Sequence, residues 1–198
     1  MVKRYLNQLL VLSLVALTCL FSAISHADTF TIEQLMQALS KAKHNHATFV
    51  EKKYIALLDE PVESSGELFF TAPDQLEKRT LLPKPEALIA DGNRILIERG
   101  SKTYYFTTQN LPELGIFINS IRGTLAGDLH NLTRSFQLNL AGDTNKWVLH
   151  LLPTNKKIQK MLKHIQIAGM NDQINSIEII QIDGDRAVMT IKPVEKTQ

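Results

Sequence analysis

Residues 66–73 read Gly-Glu-Leu-Phe-Phe-Thr-Ala-Pro, an apolar run with aromatic side chains that stops at a proline. A run of this composition, bounded by a turn signal, predicts a β-strand. The consecutive residues Leu68, Phe69 and Phe70 leave this strand without a polar face. Because a sheet with one solvated face alternates between apolar and polar residues, we expect this sheet to be covered on both faces.

The same two-residue period extends to both sides of this segment and predicts six strands. Short polar turns separate them, for example Asp91-Gly92-Asn93. Connections this short join antiparallel neighbours and cannot hold a crossover helix, so we expect a meander. The six predicted strands are Thr48–Leu58, Glu67–Thr71, Leu76–Leu82, Ala87–Ala90, Arg94–Glu98 and Thr103–Thr107.

Two segments change to the period of a helix. Thr31, with Gln34 three residues later, forms a capping-box pattern that predicts a helix before the first strand. In the middle of the chain, Asn110 is the predicted N-cap and Gly127 the predicted end of a second helix, and Asp128 caps a shorter one. The apolar stripe of the central helix is Leu114, Phe117, Ile118, Ile121 and Leu125.

Alternation resumes after the central helix and predicts five more strands, with a basic helical turn at residues 155–162 between them. The fold class is therefore mainly β (α+β), with a curled antiparallel sheet of about eleven strands, because a sheet this long curls. The amphipathic helices are the available cover for its second face. The later strands involve Phe136–Leu140, Trp147–Leu151, Ile165–Ile167, Ile174–Ile182 and Ala187–Ile191.

The first 27 residues have the order of a secretory signal peptide. Lys3 and Arg4 precede an apolar stretch, and Ser25-His26-Ala27 supplies the small residues of a cleavage site after Ala27. The alternative is a retained membrane anchor. Cleavage leaves residues 28–198 as a single exported domain. It also removes Cys19, the only cysteine, so the exported domain has no disulfide.

The charge balance argues against a nucleic-acid partner. The chain has 22 Lys and Arg against 20 Asp and Glu, and the only two charged side chains of the signal peptide are basic. The exported part is therefore neutral, whereas nucleic-acid binding requires a basic footprint.

No pattern in the sequence nominates a catalytic or cofactor site. A Gly-x-Ser-x-Gly elbow and a glycine-rich phosphate loop are both missing from the chain. His44-x-His46 with Glu51 nearby suggests a metal site, but we interpret it as a solvated loop. We expect Asp183-Gly184-Asp185 to form a hairpin turn rather than a calcium loop. We therefore predict a protein without catalysis, cofactor or metal. The basic cluster Lys156, Lys157, Lys160 and Lys163 is either a solvated face or a contact for anionic lipid or an acidic partner.

The surplus of apolar residues has two interpretations that the pattern cannot separate. A curled sheet roofed by a helix encloses either a dry core or a cavity of acyl-chain size. Gly115, Gly123 and Gly127 in and after the central helix lower its intrinsic stability, which favours an element that opens.

The order of several short motifs resembles the outer-membrane lipoprotein carriers of the LolA type, over residues 30–192, and in particular a divergent LolA-like branch. The resemblance implies an incomplete antiparallel barrel, covered by a helical lid, that shields acyl chains in the periplasm. The motifs are Ala47-Thr48-Phe49, residues 66–73, Pro83–Ala90, Asp91-Gly92 before Ile95-Leu96-Ile97, and Leu125–Leu129.

The resemblance also implies roles for individual residues. In the carriers an arginine directly before the proline of the 66–73 motif helps to hold the lid shut, and an aromatic residue follows five positions after that proline. This chain has Ala72 and Lys78 there, so we expect apolar contacts alone to hold its lid. The implied ligand-binding cavity consists of Phe49, Leu68, Phe70, Leu76, Leu88 and Ile95, and the implied lid face of Leu114, Phe117, Ile118 and Ile121.

The predicted function is that of a periplasmic carrier for a lipoprotein or another lipophilic molecule in transit to the outer membrane. Its expected partners are a lipid or acylated lipoprotein as ligand, and inner- and outer-membrane proteins that bind it transiently. We expect a monomer. The alternatives are a lipid-sensing module and an accessory subunit of a lipid-modifying system.

Overall fold

The computed structural model describes residues 30–194. The predicted signal peptide lies outside the described residues, so its cleavage stays a prediction. The helices are α1 (Ile32–Leu39), α2 (Pro112–Ala126), α3 (Leu129–Thr133) and α4 (Lys156–Gln159). The strands are β1 (His44–Tyr54), β2 (Val62–Thr71), β3 (Gln75–Leu82), β4 (Glu86–Asp91), β5 (Arg94–Arg99), β6 (Lys102–Thr107), β7 (Phe136–Asp143), β8 (Lys146–Pro153), β9 (Leu162–Met170), β10 (Gln173–Gln181) and β11 (Arg186–Pro193).

All eleven strands form one antiparallel sheet, in the order β6-β5-β4-β3-β2-β1-β11-β10-β9-β8-β7. It consists of two meanders that join where β1 pairs with β11, with Phe49 opposite Ile191. Strands β6 and β7 occupy the two ends of this order, so the part of the chain that the structure describes does not close into a barrel. The predicted fold class, a curled sheet forming an incomplete barrel, is confirmed.

The position of α2 follows from this strand order. The chain leaves the sheet at β6, one edge, and re-enters it at β7, the opposite edge. The connection between them contains α2 and α3 and must cross a face of the sheet. On that path α2 packs its buried Ile118 against Ala90 of β4 and Ile95 of β5. The central helix therefore covers the sheet as a lid, and α2 is called the lid below.

Helix α1 closes the main hydrophobic core. Its predicted capping box is confirmed, because the Gln34 amide donates to Thr31 Oγ1 at 3.2 Å and the Thr31 amide donates to Gln34 Oε1 at 2.9 Å. Within residues 30–194, no helix has both the length and the apolar character needed to cross a membrane. The fully buried part of the main core includes Leu35 and Leu39 of α1 with Trp147, Leu149, Leu151, Ile165 and Ile167 of β8 and β9.

Both predicted ends of β1 are wrong, and β2 begins at Val62 instead of Glu67, because pairing with the neighbouring strand, rather than local composition, sets these boundaries. Strand β1 begins at His44 and ends at Tyr54, four residues earlier at each end than predicted. The β1–β2 ladder pairs His44 with Thr71 and Lys53 with Val62, which holds polar residues in both strands. Leu57, predicted in the strand, lies beyond it and is 94% exposed.

The start of the lid also differs from prediction, whereas its end agrees. The lid begins at Pro112, and the Asn110 side chain does not cap it but accepts hydrogen bonds from the Thr107 amide and hydroxyl at 3.2 and 2.8 Å. Gly127 ends the lid with a φ of +66°, a conformation that favours glycine. Asp128 caps α3, as predicted.

Candidate functional site

A cavity of about 530 Å³ lies between the lid and the sheet. Strands β1 to β4, β10 and β11 form its wall, and the lid forms its roof. Small-molecule sites commonly have volumes of about 300–1,000 Å³, so this space is large enough for a ligand. The protein thus has a dry core around Trp147 and, beside it, the cavity that the sequence left as one of two possibilities.

Eight of the ten residues predicted for the cavity and the lid lie along this space. Four belong to the sheet and four to the lid, so the structure brings together residues from four separate elements. Their predicted contact with a ligand stays a prediction. They are Leu68, Phe70, Leu76 and Leu88, with Leu114, Phe117, Ile118 and Ile121.

Phe49 and Ile95 are buried but do not line the cavity. Phe49 is 2% exposed, and the Lys78 ammonium lies 4.8 Å from the centre of its ring. Lys78 does line the cavity, so it takes the place that the sequence assigned to Phe49. Ile95 is 1% exposed and packs with Ala90 and Ile118 beneath the lid.

The second meander supplies lining residues that the sequence analysis missed. They face the cavity because β11 pairs with β1. No local turn signal in the sequence predicts that the first and last strands pair. The alternation of Ile177 and Ile179 in β10 was an available signal of a common face. The missed apolar residues of this meander include Ile174, Ile177, Ile179, Met189 and Ile191.

The lid glycines are contact points with neighbouring elements. A Cβ added at Gly115 would lie 2.8 Å from the Thr108 carbonyl oxygen, and one added at Gly123 would lie 2.9 Å from the Leu132 side chain. A side chain at either position would require the lid or its neighbour, Thr108 or Leu132, to shift. Their structural role is close packing of the lid, beyond the lower helix stability inferred from the sequence.

A polar contact also ties the lid to the sheet. Arg122, which is 7% exposed, extends from the lid and donates from Nη1 to the carbonyl oxygen of Gly92, in the β4–β5 turn, at 2.6 Å. The prediction that apolar contacts alone hold the lid is therefore wrong. Burial lowers the pKa of Arg122, although the charges of Asp74 and Asp91 oppose this effect.

A group of charged side chains lies in the wall of the cavity, whose lining is mainly apolar. Lys78 of β3 donates from Nζ to Glu51 Oε2 of β1 at 2.5 Å, and Ser64 of β2 donates to the same oxygen at 3.3 Å. The Lys53 ammonium lies 3.7 Å from it. Burial lowers the pKa of Lys78, an effect that the Glu51 carboxylate opposes. The family resemblance marks Lys78 as a departure from the aromatic residue of the carriers, but the sequence does not indicate its partner Glu51.

His44 and His46 lie on β1 instead of in a solvated loop. His46 Nε2 lies 3.1 Å from Glu67 Oε1, and its ring stacks on Phe69 with 4.4 Å between ring centres. Among residues 30–194, no three His, Asp or Glu side chains come close enough together to hold a metal ion.

The fold and the cavity together define a class of protein: an open half-barrel whose concave apolar face is covered by a helix. A family model described as "Outer membrane lipoprotein carrier protein LolA-like" matches residues 24–192. The chain belongs to this LolA-like family.

Among solved structures, one similar protein is a LolA superfamily protein from Nitrosomonas europaea, at 8% identity and a TM-score of 0.45, covering 86% of this chain and 96% of that chain. Another is the Pseudomonas aeruginosa MucA/MucB complex, at 11% identity and a TM-score of 0.46, covering 84% of this chain and 58% of that chain. A third is a putative outer membrane lipoprotein-sorting protein domain from Vibrio parahaemolyticus, at 9% identity and a TM-score of 0.43, covering 84% of this chain and 92% of that chain. A search of curated proteins found no match.

Proposed function

We propose that this protein is a non-catalytic periplasmic carrier that shields the apolar chain of a lipophilic molecule in transit to the outer membrane. The observation that carries this proposal is the cavity of about 530 Å³ between the lid and the concave face of the sheet. Membership of the LolA-like family supports it. The carrier would be the single domain 28–198, acting as a monomer.

The proposed driving force for loading is burial of the ligand's apolar surface. Each buried methylene contributes about 0.8 kcal/mol, whereas association costs about 4–15 kcal/mol in lost freedom, so roughly ten or more methylenes are needed. Long acyl chains meet this requirement. Lining residues such as Leu68 and Ile177 offer them no hydrogen bond, so selectivity in this part of the cavity would come from length and shape.

Release requires the lid to move, because Phe117 and Ile121 lie over the cavity. Gly115 contacts Thr108 in the connection between β6 and the lid, and Gly123 contacts Leu132 of α3, so these two glycines join the lid to both neighbouring segments. A membrane protein that displaces either neighbour would open the cavity. The expected partners are therefore transient, one at each membrane, and the cargo is an acylated lipoprotein or another lipophile.

The test is transfer of a fluorescent acyl probe between vesicles by the purified exported protein. A carrier binds the probe and increases the rate at which acceptor vesicles receive it. Binding without transfer, together with a stable protein partner, would support a sensing module instead. Chemical conversion of the probe would show an enzyme. Native mass spectrometry of protein isolated from the periplasm would then identify the natural cargo.

A separate prediction concerns the first residue of the exported protein. Because Ser25-His26-Ala27 fits signal-peptide cleavage, the exported protein should begin at Asp28 and carry no lipid. N-terminal sequencing and intact mass measurement of periplasmic protein check this. Detection of Met1, or of an acylated Cys19, would instead establish a membrane-anchored form.

A further inference from the structure

The ion pair of Glu51 and Lys78 is unusual because it lies in the wall of an apolar cavity. Their side chains are 8% and 24% exposed, and both residues line the cavity. In the strand ladder Lys78 stands between Leu68 of β2 and Leu88 of β4, which also line the cavity. A ligand chain along these leucines would therefore run past the ammonium group.

Stability of the fold is a poor explanation for this pair. Removing two charges from water costs several kcal/mol per ion, and apolar replacements of buried pairs are often neutral or stabilising. The neighbouring lining residues show that apolar side chains suit this wall. A ligand with a charged group that binds to these side chains explains their position better.

The local charge count favours an anionic ligand. Lys78 and Lys53 share the single carboxylate of Glu51, at 2.5 and 3.7 Å. Glu86, the other acidic lining residue that acts on Lys78, forms its own ion pair with Arg99. One positive charge is thus left over at this point of the cavity.

We propose that Lys78 and Lys53 bind the single anionic head group of a lipophile whose chain fills the cavity, with Glu51 as their counter-ion when the site is empty. The ligand class is a long chain with one terminal negative charge, either a carboxylate or a phosphodiester. This inference rests on the proposed carrier function. An ammonium has three donors, so Lys78 retains donors for the ligand after bonding Glu51.

The site should prefer an anionic head group because a neutral head group leaves a positive charge without a partner. A neutral head group leaves the second ammonium, Lys53, which is 52% exposed, without an anionic partner, whereas an anionic head group pairs with it. A charge-assisted hydrogen bond of this kind corresponds to about tenfold or more in affinity.

The experiment compares ligands that differ only in their head group, by displacement of a neutral fluorescent probe, N-phenyl-1-naphthylamine, at pH 8. Oleate is compared with oleyl alcohol, and oleoyl-lysophosphatidylglycerol with monoolein. We expect the charged member of at least one pair to bind about tenfold more tightly than its neutral partner. The pair that shows the larger preference identifies the carboxylate or the phosphodiester as the head group.

Variants connect this preference to the proposed site. Lys78→Met should abolish the preference for the charged ligand and leave affinity for the neutral one unchanged. Because this change removes the main partner of Glu51, the triple variant Glu51→Gln/Lys53→Met/Lys78→Met, which has none of the three charges, serves where the single variant is unstable, with the same expected result. Lys52→Met is the matched control: Lys52 is the next residue on β1, and it is paired with Glu63 at 2.7 Å outside the cavity.

Equal binding of charged and neutral ligands by the unchanged protein would overturn the inference and leave the carrier function standing. A preference that survives in folded Lys78→Met protein, or in the folded triple variant, would overturn it as well. Failure of the protein to bind the probe or any of the four ligands would instead reject the proposed function itself.

Discussion

Replacing Phe117 by aspartate should abolish binding of an acyl probe, with an affinity loss of at least about 100-fold. Phe117 lies on the lid, lines the cavity and packs against the main core. A carboxylate at this position would be closed into an apolar space with the ligand chain, or would hold the lid away from it. Both outcomes prevent burial of the chain, which is the main source of binding free energy.

The matched control is Asn119→Asp, which places the same charge on the exposed face of the same helix. This variant should bind the probe like the unchanged protein. Circular dichroism and thermal unfolding establish that both variants are folded. If folded Phe117→Asp protein binds the probe with unchanged affinity, the lid face is not the ligand site and the cavity has no role in binding.

Replacing Arg122 by methionine should slow ligand release about tenfold, although the arginine forms a hydrogen bond that holds the closed lid. Arg122 donates only from Nη1, to Gly92. Its Nε and Nη2 atoms are buried without a hydrogen-bond partner among residues 30–194. All of these groups can reach water once the lid opens.

Whether Arg122 stabilises or destabilises the closed lid depends on two opposing free-energy contributions. The bond to the Gly92 carbonyl contributes about 1.5–3 kcal/mol, because its donor is charged. The two unpartnered donors together cost about 2–6 kcal/mol when the lid is closed. At the middle of these ranges the cost of about 4 kcal/mol exceeds the gain of about 2 kcal/mol, so the guanidinium opposes closure overall. Methionine retains an apolar stem for packing and has none of these donors, so it should stabilise the closed lid.

Stopped-flow release of a pre-bound acyl probe into excess vesicles measures this effect. Arg134→Met, an exposed arginine directly after α3, is the control and should release at the original rate. Faster release from Arg122→Met would contradict the prediction. It would mean that the Gly92 bond outweighs the desolvated donors and that Arg122 holds the lid shut.

Elements with local signals were predictable from the sequence. The capping box of Thr31 and Gln34 and the left-handed Gly127 depend on residues within one turn, and both occur as predicted. Boundaries set by pairing partners were not predictable. His44 belongs to β1 because Thr71 of β2 lies opposite it, and Asn110 is drawn away from the lid by Thr107.

The candidate site was predictable as a set of apolar faces but not in its polar details. The family resemblance implied that Leu68, Phe70 and Leu88 line the cavity, and the structure places them along it. The same resemblance assigned Phe49 to the lining, but the Lys78 side chain lies over its ring. Which of two neighbouring side chains faces the cavity depends on how they pack against each other. The order of apolar and polar residues along a strand does not contain this information.

The sequence by itself determined a mainly β chain with strands apolar on both faces, a capped first helix and a central helix with an apolar stripe. These features depend on residues close together in the chain, whose preferences act locally. Only the tertiary structure decided that β1 pairs with β11, that a cavity remains beneath the lid, and that Lys78 meets Glu51 and Arg122 meets Gly92. The last two contacts join residues 27 and 30 positions apart. They exist because the curl of the sheet and the crossing of the lid bring distant elements together, which is a property of the whole packed chain.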